Sequence, residues 1–392
     1  MRAHRRNRLL LSSLLLVAAC AAGPSDRVRV ERSDSAGVEI VFNAGGDVPL
    51  ERRFERSFSI GGVDEGPASF GNIGPNGVAT DAAGRIYVLD WAAFHVTVFD
   101  SAGRYLRTLG RAGGGPGEFR APASVAVHPD GRVGVFDFGR RALVWFAADG
   151  AALDVEPVAA RFGGGIIRIS ASGMHIPERI TDWETGSMTH RLLRIGPADT
   201  VALVEGEAVQ GRSLFYESCG VSITLPPLFA MELAWDARDD VAAAVAGASY
   251  VIDIYRGAQR VRSIRRSVAP RPVTEALAFA EVGDGEEWSI DGRRCVVPPK
   301  EVVEKRGYAA ELPAVTAVAL TPAGELWARR GTVRGEPAIV DVFSADGAYL
   351  GKLPEGAPWP VAFLPDGRLI AIEADELDVK RVVAYRMVDG SG

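Results

Sequence analysis

Lysine is almost missing from this 392-residue chain, which has it only at 300, 305, 352 and 380. Cysteine is nearly as scarce: of Cys20, Cys219 and Cys295, none stands in a CxxC or Cys/His ligand spacing, which excludes a zinc-finger framework. The five histidines form neither HExxH nor an i, i+4 pair, and there is no GxSxG elbow. The GGGPG stretch at 113–117 runs into EFRAP and not into a helix, so it lacks the converging N–H groups of a phosphate cradle and reads as a connecting loop. The apolar stretch from Leu9 to Ala19 is too short for a spanning helix. Positive charge is also in deficit, with 44 Lys+Arg against 50 Asp+Glu and a formal net charge of −6. Residues 1–19 hold four Arg and no acid, so without them the charge is −10, which excludes the basic footprint of a nucleic-acid binder. With 47% hydrophobic and 24% charged residues, the composition is that of a folded protein and not a disordered one.

What is present begins with an address. Arg2, Arg5, Arg6 and Arg8 precede the apolar stretch, and Val17-Ala18-Ala19 precede Cys20, the order of an export signal. This segment resembles the bacterial lipoprotein lipobox. The resemblance implies a signal peptide at 1–19, lipidation of Cys20, a tether at 20–36 and attachment to the cell envelope through the lipid. Ala21 in place of Asp favours the outer membrane over inner-membrane retention. In an oxidising compartment Cys219 and Cys295 form either a disulfide or two separately buried thiols.

Two kinds of turn recur along the rest of the chain, each flanked by alternating apolar residues. The first kind appears in GVATDAAGRIYVLD (77–90), SVAVHPDGRVGVFD (124–137), RISASGMHIPER (168–179), AVALTPAGELWARR (317–330) and PVAFLPDGRLIAIE (360–373), with a degraded copy at 233–246. A second turn follows each, as in VFDSAGRYL (98–106) and VFSADGAYL (342–350), and YRMVDG (385–390) supplies it in the last unit. Two hairpins per unit of 40-odd residues describe a four-stranded propeller blade, and six units occur. The last unit lacks a final strand, and SDSAGVEIVFN (33–43) carries the missing pattern, so the N-terminal strand is expected to close the last blade.

The stretch from Gly77 to Asp137 resembles tandem NHL-type repeats, and the chain resembles bacterial six-bladed β-propeller lipoproteins. The expected fold is therefore an all-β, six-bladed propeller over 37–392 with four-stranded antiparallel blades. Inserts at about 207–230 and 267–313 break the rhythm, and the second contains short helical patterns. Each insert holds one of the two later cysteines, so a disulfide between them would make a tethered lid or a brace for one weak blade.

Six residues beyond each first-turn glycine stand Asp90, Asp137, Arg179, Arg330 and Glu373, the same height on different blades. Trp91 and Phe138 follow two of them, with Arg140, Arg141 and Arg329 nearby. This set either holds a polar ligand at the channel mouth or bonds turns and braces blades. The expected role is non-catalytic binding of an envelope protein, peptide or saccharide by a monomer, with no cofactor and no nucleic acid. The resemblance also implies an alternative, a metal-dependent hydrolase or lyase of the propeller lactonase or NHL-type lyase class. Its ligands would come from inner strands, though His95, His128, His175 and His190 show no such pattern.

Overall fold

The computed structural model describes residues 28–63, 66–290 and 293–390. The signal peptide, Cys20 and the first part of the expected tether lie outside the described residues.

Six antiparallel blades form a β-propeller. Blades one to three comprise the strands from Val78 to Leu109, Pro122 to Pro157 and Arg168 to Glu205. Blades four to six begin at Ala234, Ala317 and Ala362. The repeat turns are hairpins whose glycines carry positive φ, 79° at Gly84 and 91° at Gly131, a region that costs an L side chain about 1–2 kcal/mol. Blade four reads as degraded because Asp239 takes that place at φ 54°, and aspartate tolerates the left-handed region better than most residues.

Alternation along each strand divides its side chains between two neighbours. Tyr87 and Leu89 pack with Val125, Val133, Val135 and Val144 of blade two. Ile86 and Val88 instead pack with Val361, Ile370, Val382 and Ala384 of blade six. Each large apolar side chain removed from water this way contributes about 1.5–3 kcal/mol. The core is therefore a ring of inter-blade seams.

The N-terminal segment departs from expectation. Residues 33–43 do not close the last blade: β1 (Arg29–Ser35) and β2 (Val38–Ala44) form a hairpin on the outer edge of blade four, with β2 parallel to strand Gln259–Arg266. The DSAG turn that imitates the repeat is the hairpin's own, with Asp34 Oδ1 accepting from Gly37 N at 3.1 Å. Part of the expected tether is thus paired strand. The closing strand is β3 (Arg52–Ile60), antiparallel to Lys380–Asp389. Gly390 is accordingly not a second-turn glycine, because it follows the third strand of blade six and the fourth comes from the other end of the chain. Between β2 and β3, Leu50 N donates to Lys352 O and Lys352 N to Val48 O along the edge of blade five. One N-terminal strap therefore touches blades four, five and six.

The two inserts build a satellite unit with its own core. The first contributes the hairpin Arg212–Tyr216/Val221–Leu225, and the second contributes α1 (Glu275–Val282), a hairpin and α2 (Pro299–Arg306). Thr274 caps α1 by accepting from Leu277 N, and Pro299 opens α2, where a missing N–H costs nothing. Leu214, Tyr216, Ala278, Val282, Val297, Val302 and Val303 pack together. Cys219 and Cys295 form a disulfide across the two inserts, with a Cα–Cα distance of 5.7 Å. Arg271 and Glu336 then tie the stem of the second insert to blade five through two bonds of 2.7 and 2.6 Å.

Closing a loop of sequence separation 76 stabilises the unit by about 4.5 kcal/mol in the chain-entropy model. Reduction is expected to speed hydrogen exchange in Arg212–Leu225 and α2 while leaving the strands of blades one and two protected. Exchange measured by mass spectrometry with and without reductant checks this; uniform change across the ring would contradict it.

Candidate functional site

The second strand of every blade ends at the face where the inter-blade connections and the inserts emerge, so the five repeat-offset residues share one face by topology. Their side chains do not converge, and none lines the central channel. Asp90 accepts from Gly71 N and Asn72 N at 2.6 and 3.0 Å, and also from Ala92 N and Ala93 N. Asp137, fully buried, accepts from Arg120 N and Ala121 N at 2.6 and 3.0 Å. Each carboxylate thus pins the connection entering its own blade. Glu373 faces the outer strand, bonded to Arg56 and Tyr385. Trp91 packs over Gly74, where a Cβ would meet its ring at 2.5 Å. Arg329 lies 4.4 Å over the Trp359 ring, its pKa lowered by burial. Arg140 is likewise engaged, donating to Gly115 O and Glu118 O. Arg179 is exposed on another shelf beside Phe138 and Arg141.

Arg330 enters an ionic node that joins three parts of the chain. Its guanidinium donates to Asp341 Oδ2 and Oδ1, both at 2.8 Å, and to Asp47 Oδ1 at 2.5 Å. Arg266 reaches the same pair, Asp341 Oδ1 at 3.0 Å and Asp47 Oδ1 at 2.9 Å, and lies 3.7 Å over the Tyr349 ring. Tyr250 OH donates to Asp341 Oδ2 at 2.6 Å, and burial with the adjacent carboxylate pushes the phenol well up. Burial raises the pKa of Asp47, but hydrogen bonds from the two guanidiniums outweigh it, and the carboxyl stays below its usual range. Two positive and two negative charges therefore balance in one water-poor node.

Above this node lies a cleft of about 690 Å³ between blades four and five. Its walls are mostly apolar, including Val268, Pro270, Leu312, Pro313, Pro337 and Ile339. The stems of the second insert, 268–271 and 311–314, form one side. The sequence reading found Arg330 here but missed Arg266, Asp341 and Asp47, which sit off the repeat offset; the visible signal was an aspartate inside the apolar strand VDVF. Among the described residues no helix or hairpin of the satellite lines the central channel, and the stems of the second insert instead wall this cleft.

The central channel encloses about 170 Å³ and receives residues from all six inner strands. Arg168 Nε donates to Asp236 Oδ1 at 2.8 Å, and Asp236 Oδ2 accepts from Leu320 N at 2.8 Å. Arg238 donates to Leu320 O and sits over Phe363. Behind them, His175 is buried with Nδ1 unpartnered; burial, with nearby Arg194 adding to it and Asp236 opposing, lowers its pKa to about 4. The other histidines lie apart. His95 opens the third strand of blade one, His128 bonds Asp130 in a hairpin turn, and His190 pairs across from Arg179. Among the described residues no three His, Cys, Asp or Glu side chains are grouped to hold a metal.

Arg330→Ala is expected to destabilise the fold by about 3–5 kcal/mol, because it leaves fully buried Asp341 short of a partner. The shift of the urea midpoint measures this. For His175, the unfolded side chain protonates near its ordinary 6.5 and the folded one only near 4. In that window the unfolded state binds more protons, so stability falls as pH drops from 6.5 to 4, by ~3 kcal/mol. His175→Gln should flatten that part of the pH–stability curve relative to wild type.

A sequence family described as a 6-bladed beta-propeller matches residues 75–158. No curated protein matches the chain. Among solved structures, a Bacteroides fragilis protein described as exported shares 10% identity at TM-score 0.51, covering 86% of this chain and 96% of that one. Regucalcin from Agrobacterium tumefaciens, a calcium-binding protein, shares 11% identity at TM-score 0.40, covering 86% and 95%. Virginiamycin B lyase from Staphylococcus aureus shares 10% at TM-score 0.35, covering 85% and 99%. The first of these likenesses concerns the fold alone; the chain is a six-bladed β-propeller.

Proposed function

We propose that this protein is an exported, lipid-tethered propeller that binds an envelope protein, peptide or saccharide without catalysis, in the cleft between blades four and five. The observation that carries this reading is the cleft itself, with apolar walls over a few fixed polar groups, the usual build of a binding pocket. Asp341 and Asp47 beneath it and Glu336 on its wall are each tied to arginines, which makes these three poor candidates for proton transfer. The hydrolase or lyase alternative wants a set of metal donors, and no described cluster supplies one. Export and the lipid anchor rest on the basic segment and the lipobox-like Ala18-Ala19-Cys20. The ligand moves from the expected channel mouth to the cleft, where of the five offset residues only Arg330 lies.

The test is photo-crosslinking in envelopes from position 337, on the exposed cleft wall, with position 104 on the opposite hairpin face as control. A saturable adduct from 337 alone, lost when Ala269→Trp fills the cleft, is expected. Equal labelling at both positions, or an adduct indifferent to Ala269→Trp, would overturn the cleft assignment. Release of the protein from membranes by Cys20→Ser checks the anchor separately.

A further inference from the structure

A second feature of the insert-bearing face lies on blades two and three, away from the cleft. There the strand end after Asp137, the connection 160–163 and the second strand of blade three with its following loop meet around an open shelf of about 600 Å³. Phe138 is 43% exposed and stacks on Phe162, with ring centroids 5.2 Å apart and planes 30° apart. Trp183 is 80% exposed beside them. Large aromatic faces left this open cost hydrophobic free energy unless something covers them.

Arg141, Arg161 and Arg179 line the same shelf and are all exposed. Among the described residues none of the three pairs with a carboxylate, although thirty ion pairs occur elsewhere. Two acids nearby are already engaged: Glu178 Oε1 accepts from Arg161 N at 3.1 Å, and Asp182 Oδ1 accepts from Glu184 N and Thr185 N in its own turn. On a chain with formal net charge −6, three unpaired guanidiniums beside open aromatic rings form a local exception to the surface charge.

We propose that this shelf binds an acidic saccharide, with sugar rings laid on Trp183 and the Phe138–Phe162 pair and uronate carboxylates held by the three arginines. Guanidinium matches carboxylate in planar two-point contacts, which fixes the charge of the ligand. Its shape follows from the backbone. An extended peptide needs main-chain partners, and here Arg179 N is bonded to Arg161 O, Phe138 N to Ala121 O and Asp182 N to Ser187 O. A flat ring bearing carboxylates needs only the faces and charges that remain. This assignment stands independently of the cleft, which has no residue in common with the shelf.

The experiment is calorimetric titration of the soluble domain, residues 28–392, with oligogalacturonate, neutral dextran oligomers and poly-glutamate. Oligogalacturonate should bind, weaken as salt rises, and lose at least about tenfold in affinity in both Trp183→Ala and the double variant Arg161→Ala/Arg179→Ala. All three side chains are exposed, and an unchanged melting temperature confirms that the variants remain folded. Dextran should not bind, and Ala269→Trp in the cleft should change nothing. Absence of oligogalacturonate binding overturns the proposal. So does equal binding of poly-glutamate with no effect of Trp183→Ala, which would mark the shelf as a site for acidic peptides.

Discussion

The carboxylate of Asp341, with no exposed surface, accepts from Tyr250, Arg266 and Arg330, which come from blade four and blade five. Asp47 bridges the same two guanidiniums from the N-terminal strap. Ionised groups in such a place are tolerable only as a complete set, because removing one partner leaves an uncompensated charge away from water. The arrangement therefore acts as a registration point: blade four, blade five and the strap must all arrive before all of its charges are satisfied. Asn43 reinforces it nearby, donating to Arg265 O and Gly347 O and accepting from Tyr349 N. The closing strand β3 begins five residues beyond Asp47, so the last blade inherits its alignment from this node.

How much of this is legible in the sequence depends on range. The hairpin turns are local, set by glycines at positive φ, or by Asp239 in blade four, and they reveal six blades without any tertiary information. The closing strand is not local. RRFERSFSI lacks a repeat turn, and Phe54, Phe58 and Ile60 turn inward while Arg53, Glu55, Ser57 and Ser59 are exposed, because an outer strand buries only one face; Arg52 on it answers Glu325 in blade five. The hairpin at 33–43 carries the turn and so attracts the assignment wrongly.

The site shows the same division. Equal offsets from a shared turn do place Asp90, Asp137, Arg179, Arg330 and Glu373 at one blade end. What each then touches depends on residues far away in sequence, such as Asp47 for Arg330, 283 positions distant. Where the preceding connection offers backbone N–H groups, as for Asp90 and Asp137, the residue becomes a pin; Arg330 instead meets acids of its own blade and the strap, and Glu373 meets Arg56 and Tyr385 of its own blade. Arg179 has no carboxylate partner among the described residues and stays open to solvent. Trp183 and Arg161 escaped notice because they sit in a loop and a connection that the repeat period does not count.

The strap also decides how the molecule responds to force. A pull on the chain upstream of Val28 arrives first at β1, whose seven residues are all exposed and whose only strand partner among the described residues is β2. Its rungs are loaded singly from the Arg29–Ala44 end, so it unzips at low tension and can re-anneal when the tension drops. Asn43 and the Asp47 node stand next in line and hold by many bonds at once. The outer hairpin is thus a mechanical fuse: once the exposed Arg32–Asp346 contact to blade five breaks, it gives way before strain reaches the strands of the ring.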